Sequence, residues 1–389
     1  MKYLCAASLA SIGLLAVPAS SWSCPSDLDP SFHHGQAVIT DTGPDYAWAG
    51  TVLSTGHGKV LVGGDIAYEP FVAQYTASGE IDETFGDRGF VRIHAPGFII
   101  ASRLQKDGNI VVAGTIGING GREAFLLARL EPSGEFDPTF GDNGMVTTPI
   151  GGVAWIRDMV VLSDGRIVVV GQSGPGVGSA WSPTIAFYRP DGSLDTNSLE
   201  NGIFASQIRG RSGAVTGVTQ LEDDSVLVST FDEAYGDLIM LKLTPAGELD
   251  PSFARNGIRI LPSRLYEEAW DIATDSLGRI YVLGDTGAPT CCASTTVTVR
   301  RFLPDGARDR SYGRRGRASI RFARTAMAFG LHVSADGVAT ASGFAQEVRQ
   351  ALVVRFTPDG ERDVSFGRAG VARITTGSVT GLGGHRRSG

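Results

Sequence analysis

The sequence predicts an all-β chain folded as a β-propeller of six four-stranded blades. Three observations predict it. One phrase recurs seven times, 53 to 59 residues apart. Every interval between copies holds the same four short β-type segments. No apolar stripe of helical period runs across any interval.

The phrase reads Gly, two residues, Asp, any residue, Ser or Thr, Phe, Gly. Its Asp column is Asp29, Asp82, Asp137, Asp195, Asp250, Asp309 and Asp363. Its aromatic column is Phe32, Phe85, Phe140, Phe253, Tyr312 and Phe366, with Ser198 in the fourth copy. Asp favours turns because its carboxylate accepts backbone N–H groups two residues on. The aromatic residue is then placed to drop between neighbouring blades. A cation stands eight residues before the Asp in four copies, at Arg129, Lys242, Arg301 and Arg355, in position to pair with it. Seven Asp in a column also suggest metal. A calcium loop, however, gathers oxygen ligands at alternating positions, and only Asp82 with Asp87 and Asp137 with Asp142 approach that pattern. Neither a metal site nor a cofactor is expected.

Within each interval, strand A is moderately apolar, as over 156–162. A turn such as Asp107-Gly108 or Asp164-Gly165 leads into strand B, a near-continuous apolar run such as 109–113 or 166–170. Strand C resembles 125–129, and strand D follows the phrase, as over 89–93. These runs are rich in Val and Ile and bounded by Gly and Asp, the signature of strands. Continuous apolar character in B requires cover on both faces, which neighbouring propeller blades supply. There are six complete intervals and one D-like segment too many, since Ala37-Val38-Ile39-Thr40 and Gly370-Val371-Ala372-Arg373 both qualify. One of them closes the ring and the other is spare; seven blades is the alternative.

In the Gly-x-x-Asp-x-Ser/Thr-Phe-Gly-x-x-Gly phrase and the Asp-Gly turn before strand B, the chain resembles the delta-60 repeat family, over about residues 29–375. The resemblance implies an exported bacterial propeller. It brings no catalytic or ligand residues to carry over.

The ends read differently. Lys2, an apolar run over 4–17 and the small residues Ala19, Ser20, Ser21 and Ser23 have the three-part form of a secretory signal. Residues 1–23 are expected to be that signal, 24–376 the propeller and 377–389 a disordered tail. The mature protein is then periplasmic or extracellular. Cys24 could be lipidated, but Ser21-Trp22-Ser23 makes a poor lipobox. No later stretch has the ~18 apolar residues of a membrane span. Export permits a disulfide among Cys24, Cys291 and Cys292, and the pairing stays open: Cys24 with either neighbour, or Cys291 with Cys292.

Function is less legible. A net charge of −7 argues against a nucleic-acid binder. There is no nucleophile elbow, no His-Glu-x-x-His and no P-loop. In a four-stranded meander the A–B and C–D turns share one face, and the B–C and D–A loops share the other. The second set differs in every blade, and function usually sits on variable loops of a rigid scaffold. Trp48, Trp155 and Trp270 each follow Ala at the entry to strand A, and Phe329 takes the like place in the sixth unit. Trp181 lies in a B–C loop. These five are the candidate ligand contacts, and inter-blade packing is their alternative role. Nine Arg crowd residues 300–324, a run that reads as a solvated outer strand and turn. The expectation is therefore a monomeric binding or scaffold protein that meets a protein or a glycan through its variable face. The alternatives are a hydrolase, lyase or lactonase centred on the channel, and a structural envelope component.

Overall fold

The computed structural model describes residues 31–36, 38–43, 45–176, 180–262, 266–287, 295–323, 326–345 and 350–375. Six four-stranded antiparallel sheets follow one another around a ring, each a simple meander. Blade 1 is β1 (Ala47–Ser54), β2 (Val60–Ile66), β3 (Glu69–Tyr75) and β4 (Phe90–Arg92). Blade 2 is β5 (Gly97–Leu104), β6 (Ile110–Ile118), β7 (Arg122–Leu130) and β8 (Met145–Thr148). Blade 3 is β9 (Val153–Val161), β10 (Ile167–Gly174), β11 (Ser182–Tyr188) and β12 (Ile203–Ala205). Blade 4 is β13 (Val215–Gln220), β14 (Val226–Phe231), β15 (Leu238–Leu243) and β16 (Ile258–Leu261). Blade 5 is β17 (Tyr266–Thr274), β18 (Ile280–Gly287), β19 (Thr296–Phe302) and β20 (Arg317–Arg321). Blade 6 is β21 (Ala326–Val333), β22 (Ala339–Ala345), β23 (Gln350–Phe356) and β24 (Val371–Thr375). The six-blade expectation holds, and the C-terminal segment is the one that serves as blade 6's outer strand. Among the described residues the only helix is one 3₁₀ turn at His33–Gly35, and no helix is long and apolar enough to cross a membrane. Asp29, Cys24, Cys291, Cys292, the leader 1–23 and the tail 377–389 lie outside the described residues.

Strand B is continuously apolar because its side chains alternate between two junctions. Val112 enters the cluster shared with blade 1, where it joins Leu61 and Phe85. Val111 enters the cluster shared with blade 3, beside Phe140, Ile167 and Tyr188. The same pattern recurs between blades 3 and 4, 4 and 5, and 5 and 6. Each fully buried side chain of this kind is worth about 1.5–3 kcal/mol, so the blades are joined chiefly by apolar contact.

The repeated phrase fastens the rim. Oδ1 of its Asp accepts the backbone N–H two residues on, as Asp137 does from Thr139 at 2.9 Å. Oδ2 takes the cation eight residues back: Arg129 to Asp137 at 2.8 Å, Lys242 to Asp250 at 2.9 Å, Arg301 to Asp309 at 2.7 Å and Arg355 to Asp363 at 2.6 Å. Blades 1 and 3 lack that residue. Their cations come from the start of strand B instead, Lys59 to Asp82 at 2.7 Å and Arg166 to Asp195 at 3.5 Å. Hydroxyl and cation together hold these carboxylates low: Ser252 and Lys242 bring Asp250 down to about 2 despite some burial. The aromatic residue behind the Asp is buried, and in three blades it lies under the arginine: Phe140 4.8 Å from Arg129, Tyr312 4.5 Å from Arg301 and Phe366 4.5 Å from Arg355. It also abuts the turn glycine of the next blade. A Cβ on Gly192 would lie 2.9 Å from Phe140, and one on Gly306 2.8 Å from Phe253.

Each inner strand carries a β-bulge, whose extra residue is Gly50, Ile100, Arg157, Thr216, Trp270 or Phe329 in blade order. The bulge drives a carbonyl toward strand B. In five blades the facing residue is glycine: Gly64, Gly114, Gly171, Gly284 and Gly343. A Cβ on Gly171 would lie 2.0 Å from the Trp155 carbonyl oxygen, and one on Gly114 1.9 Å from that of Phe98. Blade 4 has Thr230, whose hydroxyl donates to the Ala214 carbonyl at 2.6 Å. Gly171→Ala should therefore cost about 1–3 kcal/mol through forced backbone displacement. A lowered urea midpoint at constant slope checks it, and an unchanged midpoint would refute the clash.

Candidate functional site

The loops sort as the meander requires. Gly97 N–H donates to the Tyr68 carbonyl, Gly213 to that of Trp181 and Glu233 to that of Ser212, so B–C and D–A loops interleave on one face. On the opposite face Lys106 reaches the Ser163 carbonyl and Ser276 that of Ala335, which ties A–B turns of neighbouring blades together.

The five candidate aromatics do not form one ring. Trp48 and Trp155 stand two residues before the bulge, whereas Trp270 and Phe329 are themselves the bulged residues. They fall into three clusters, two of them between blades. Trp48 meets Phe98 edge-on at 5.9 Å between blades 1 and 2. Trp155 and Trp181 lie 4.9 Å apart within blade 3. Trp270, Phe329 and Phe344 form a third group between blades 5 and 6. Trp181, which the sequence placed in an open loop, is only 8% exposed. All five therefore take part in packing.

Around Trp155 and Trp181 the face becomes polar. Trp155 donates its indole N–H to Glu123. Arg157 lies 5.9 Å from the Trp155 ring and donates to Gln172 Oε1 at 3.2 Å. Burial depresses the Arg157 guanidinium and raises Glu233, while the attraction between the two opposes both shifts. Arg211 bridges Asp232 at 2.9 Å and Asp237 at 3.1 Å, and Tyr235 projects beside it, 68% exposed. Tyr68, at the B–C turn of blade 1, is likewise exposed. Sequence reading passed over both tyrosines. The signal was available: a lone aromatic at the tip of a loop on the variable face.

A second polar group lies at the inner strands. Asp158 accepts Arg103 of blade 2 at 2.9 Å and the Val218 N–H of blade 4 at 3.1 Å. Asp271 accepts its neighbour Ile272 N–H and the Leu331 N–H of blade 6, both at 2.7 Å. A Cβ on Gly217 of blade 4 would come within 3.1 Å of Asp271 Oδ1. Both aspartates are residues just after a bulge, which aims them across the junction. Burial raises both, and the charge of Asp158 adds to it for Asp271, which is pushed up to about 7. Among the described residues no three His, Cys, Asp or Glu side chains gather as a metal site. The basic run is partly internal, since Arg301 is buried on Asp309, while Arg310, Arg314, Arg315 and Arg321 are exposed on the phrase turn and outer strand.

One family model agrees with the propeller architecture. The model of a family described as "Domain of unknown function (DUF5122) beta-propeller" matches residues 58–85, 105–140 and 162–197. No curated protein matches by sequence. Among solved structures, a polysaccharide lyase (ulvan lyase) is 12% identical, with 81% of this chain and 83% of that one covered at a TM-score of 0.48. An exo-β-1,3-galactanase from Clostridium thermocellum is 15% identical over 70% and 61%, with a TM-score of 0.39. A variant apocarotenoid oxygenase from Synechocystis is 11% identical over 84% and 72%, with a TM-score of 0.43. The chain is a six-bladed β-propeller repeat protein.

Proposed function

We propose that this propeller is an exported binding protein that takes a glycan on its variable loop face, over blades 3 and 4. The observation that carries this reading is the exposed Tyr235 ring beside Arg211, on a loop face that also carries Glu233, Arg157 and the Trp155–Trp181 pair. A flat ring offers stacking area to a sugar, and the surrounding carboxylates and guanidinium groups supply hydrogen bonds to hydroxyls. The supporting rings are fixed by packing, so little side-chain freedom is lost on binding. Export rests on the leader-like residues 1–23, and mass spectrometry of the secreted N-terminus tests it.

The binding test is a polysaccharide array followed by calorimetry on the best ligand. Tyr235→Ala should weaken binding roughly tenfold, the ~1.4 kcal/mol expected of one lost ring contact. Trp155→Ala should weaken it further through collapse of the platform. An array with no ligand, or a ligand indifferent to both changes, would end this reading. The axial aspartates favour a second one, an acid–base enzyme, because a carboxyl group near 7 is poised for proton transfer. It requires turnover that is lost in Asp271→Asn.

A further inference from the structure

In blades 2, 3, 5 and 6 the C–D turn is a seat for the phrase that precedes it. Just after the phrase's aromatic residue, Gly86 donates its N–H to the Ser133 carbonyl at 2.7 Å, and Gly141 does so to Asp191 at 2.8 Å. Ala254 reaches Asp305 at 3.0 Å and Gly313 reaches Asp359 at 2.7 Å. The turn of blade 1 has the same seat, the Ser78 carbonyl. In a six-blade ring its occupant by rotation is Gly367, after Phe366 of blade 6. The structure shows another: His33, the residue after Phe32, donates to Ser78 at 2.8 Å. Steric occupation agrees. A Cβ on Gly79 would meet the His33 Cβ at 2.9 Å, as one on Gly134 or Gly360 would meet the N of Gly86 or Gly313 at 2.6 Å. A second tie joins Thr40 to the Tyr75 hydroxyl at 2.6 Å.

Other layers of the fold change at the same place. Apolar clusters span the five junctions from blade 1 to blade 6. On the remaining side, Ile66, Phe71 and Ala73 cluster within blade 1, and Val353, Phe366 and Ala372 within blade 6. The inner polar links also run forward from Thr51 and Ser102 through Asp158 to Asp271 and Leu331. Among the described residues none crosses from blade 6 to blade 1.

We infer that the N-terminal half-repeat, over its described residues 31–36 and 38–40, is the clasp of the ring: it holds the seat on blade 1 in place of blade 6's own phrase. Two copies of one phrase compete for one seat, and the detachable one holds it. The junction between blades 6 and 1 is thus the place where the ring opens.

Disulfide trapping in the full chain, with its four cysteines changed to Ser, tests this. The pair His33→Cys with Ser78→Cys should oxidise as readily as the same seat elsewhere, Ala254→Cys with Asp305→Cys. The pair Gly367→Cys with Ser78→Cys should form at least about tenfold more slowly, because side chains that do not face each other closely cannot be bridged. Any smaller difference overturns the inference, as does failure of the His33 pair while the Ala254 pair forms. Hydrogen exchange reads it independently of introduced thiols. Phe32→Ala should speed amide exchange in β3 by about tenfold or more through local opening. Equal or greater acceleration by Phe366→Ala would show that blade 6 holds the seat.

Discussion

Arg301→Ala should destabilise the protein by about 3–5 kcal/mol, the range for a buried ion pair broken from one side. The side chain of Arg301 has four partners: Asp309 at 2.7 Å, the Pro358 carbonyl of blade 6 at 2.5 Å, Ser311 at 3.2 Å and the Tyr281 hydroxyl at 3.3 Å. It also covers the Tyr312 ring and is only 3% exposed. Truncation strands the Asp309 carboxylate and a blade 6 carbonyl at once. Asp309→Asn in the same chain should recover part of the loss, since it removes the unpaired charge, and a double-mutant cycle separates the two effects. Lys59→Ala is the internal control. Its side chain is 40% exposed and its Asp82 keeps the Thr84 hydroxyl, so roughly 1 kcal/mol is expected. Urea midpoints at constant slope measure all four. Equal losses at Arg301 and Lys59 would sink the argument that burial sets the cost.

The same comparison shows what the sequence made legible. Spacing alone exposed the blade, because the period and the turn residues are local properties repeated seven times. It also paired four cations with four aspartates, since both members lie within one hairpin. For blades 1 and 3 the pairing could not be read at the fixed offset of eight, because the cation has moved to Lys59 and Arg166 across the strand B–C ladder. The glycine column from Gly64 to Gly343 was visible as letters but not as a constraint, because it depends on a bulge in the partner strand. That bulge also divided the aromatics. It left Trp155 before the extra residue and made Trp270 the extra residue, so equal sequence contexts gave different placements. The inner network was hidden for another reason. Arg103, Asp158 and Val218 come from three successive blades, and only the stacking of those blades brings them together.

That inner network yields a dependence on pH opposite to that of the rim. Rim carboxylates such as Asp250 have folded pKa values below the unfolded one. The stability they add is present above about pH 4 and is lost as pH falls toward 2. Asp271 is shifted the other way, from the ordinary 3.8 to about 7 by burial and by Asp158. Between these values the folded state holds a proton that the unfolded state has released, so stability falls as pH rises from about 4 to about 7. Asp271→Asn removes this slope. Its carbonyl keeps one of the two backbone N–H bonds, to Ile272 or Leu331, and its amide faces the other, which costs about 1–3 kcal/mol at every pH. Wild type should therefore be the more stable at pH 4, and its advantage should shrink or reverse by pH 8. Unfolding free energies of the two chains at those pH values decide the matter. A constant difference would mean that Asp271 is ionised throughout, held by its two backbone donors, and the acid–base reading of the axis would fall with it.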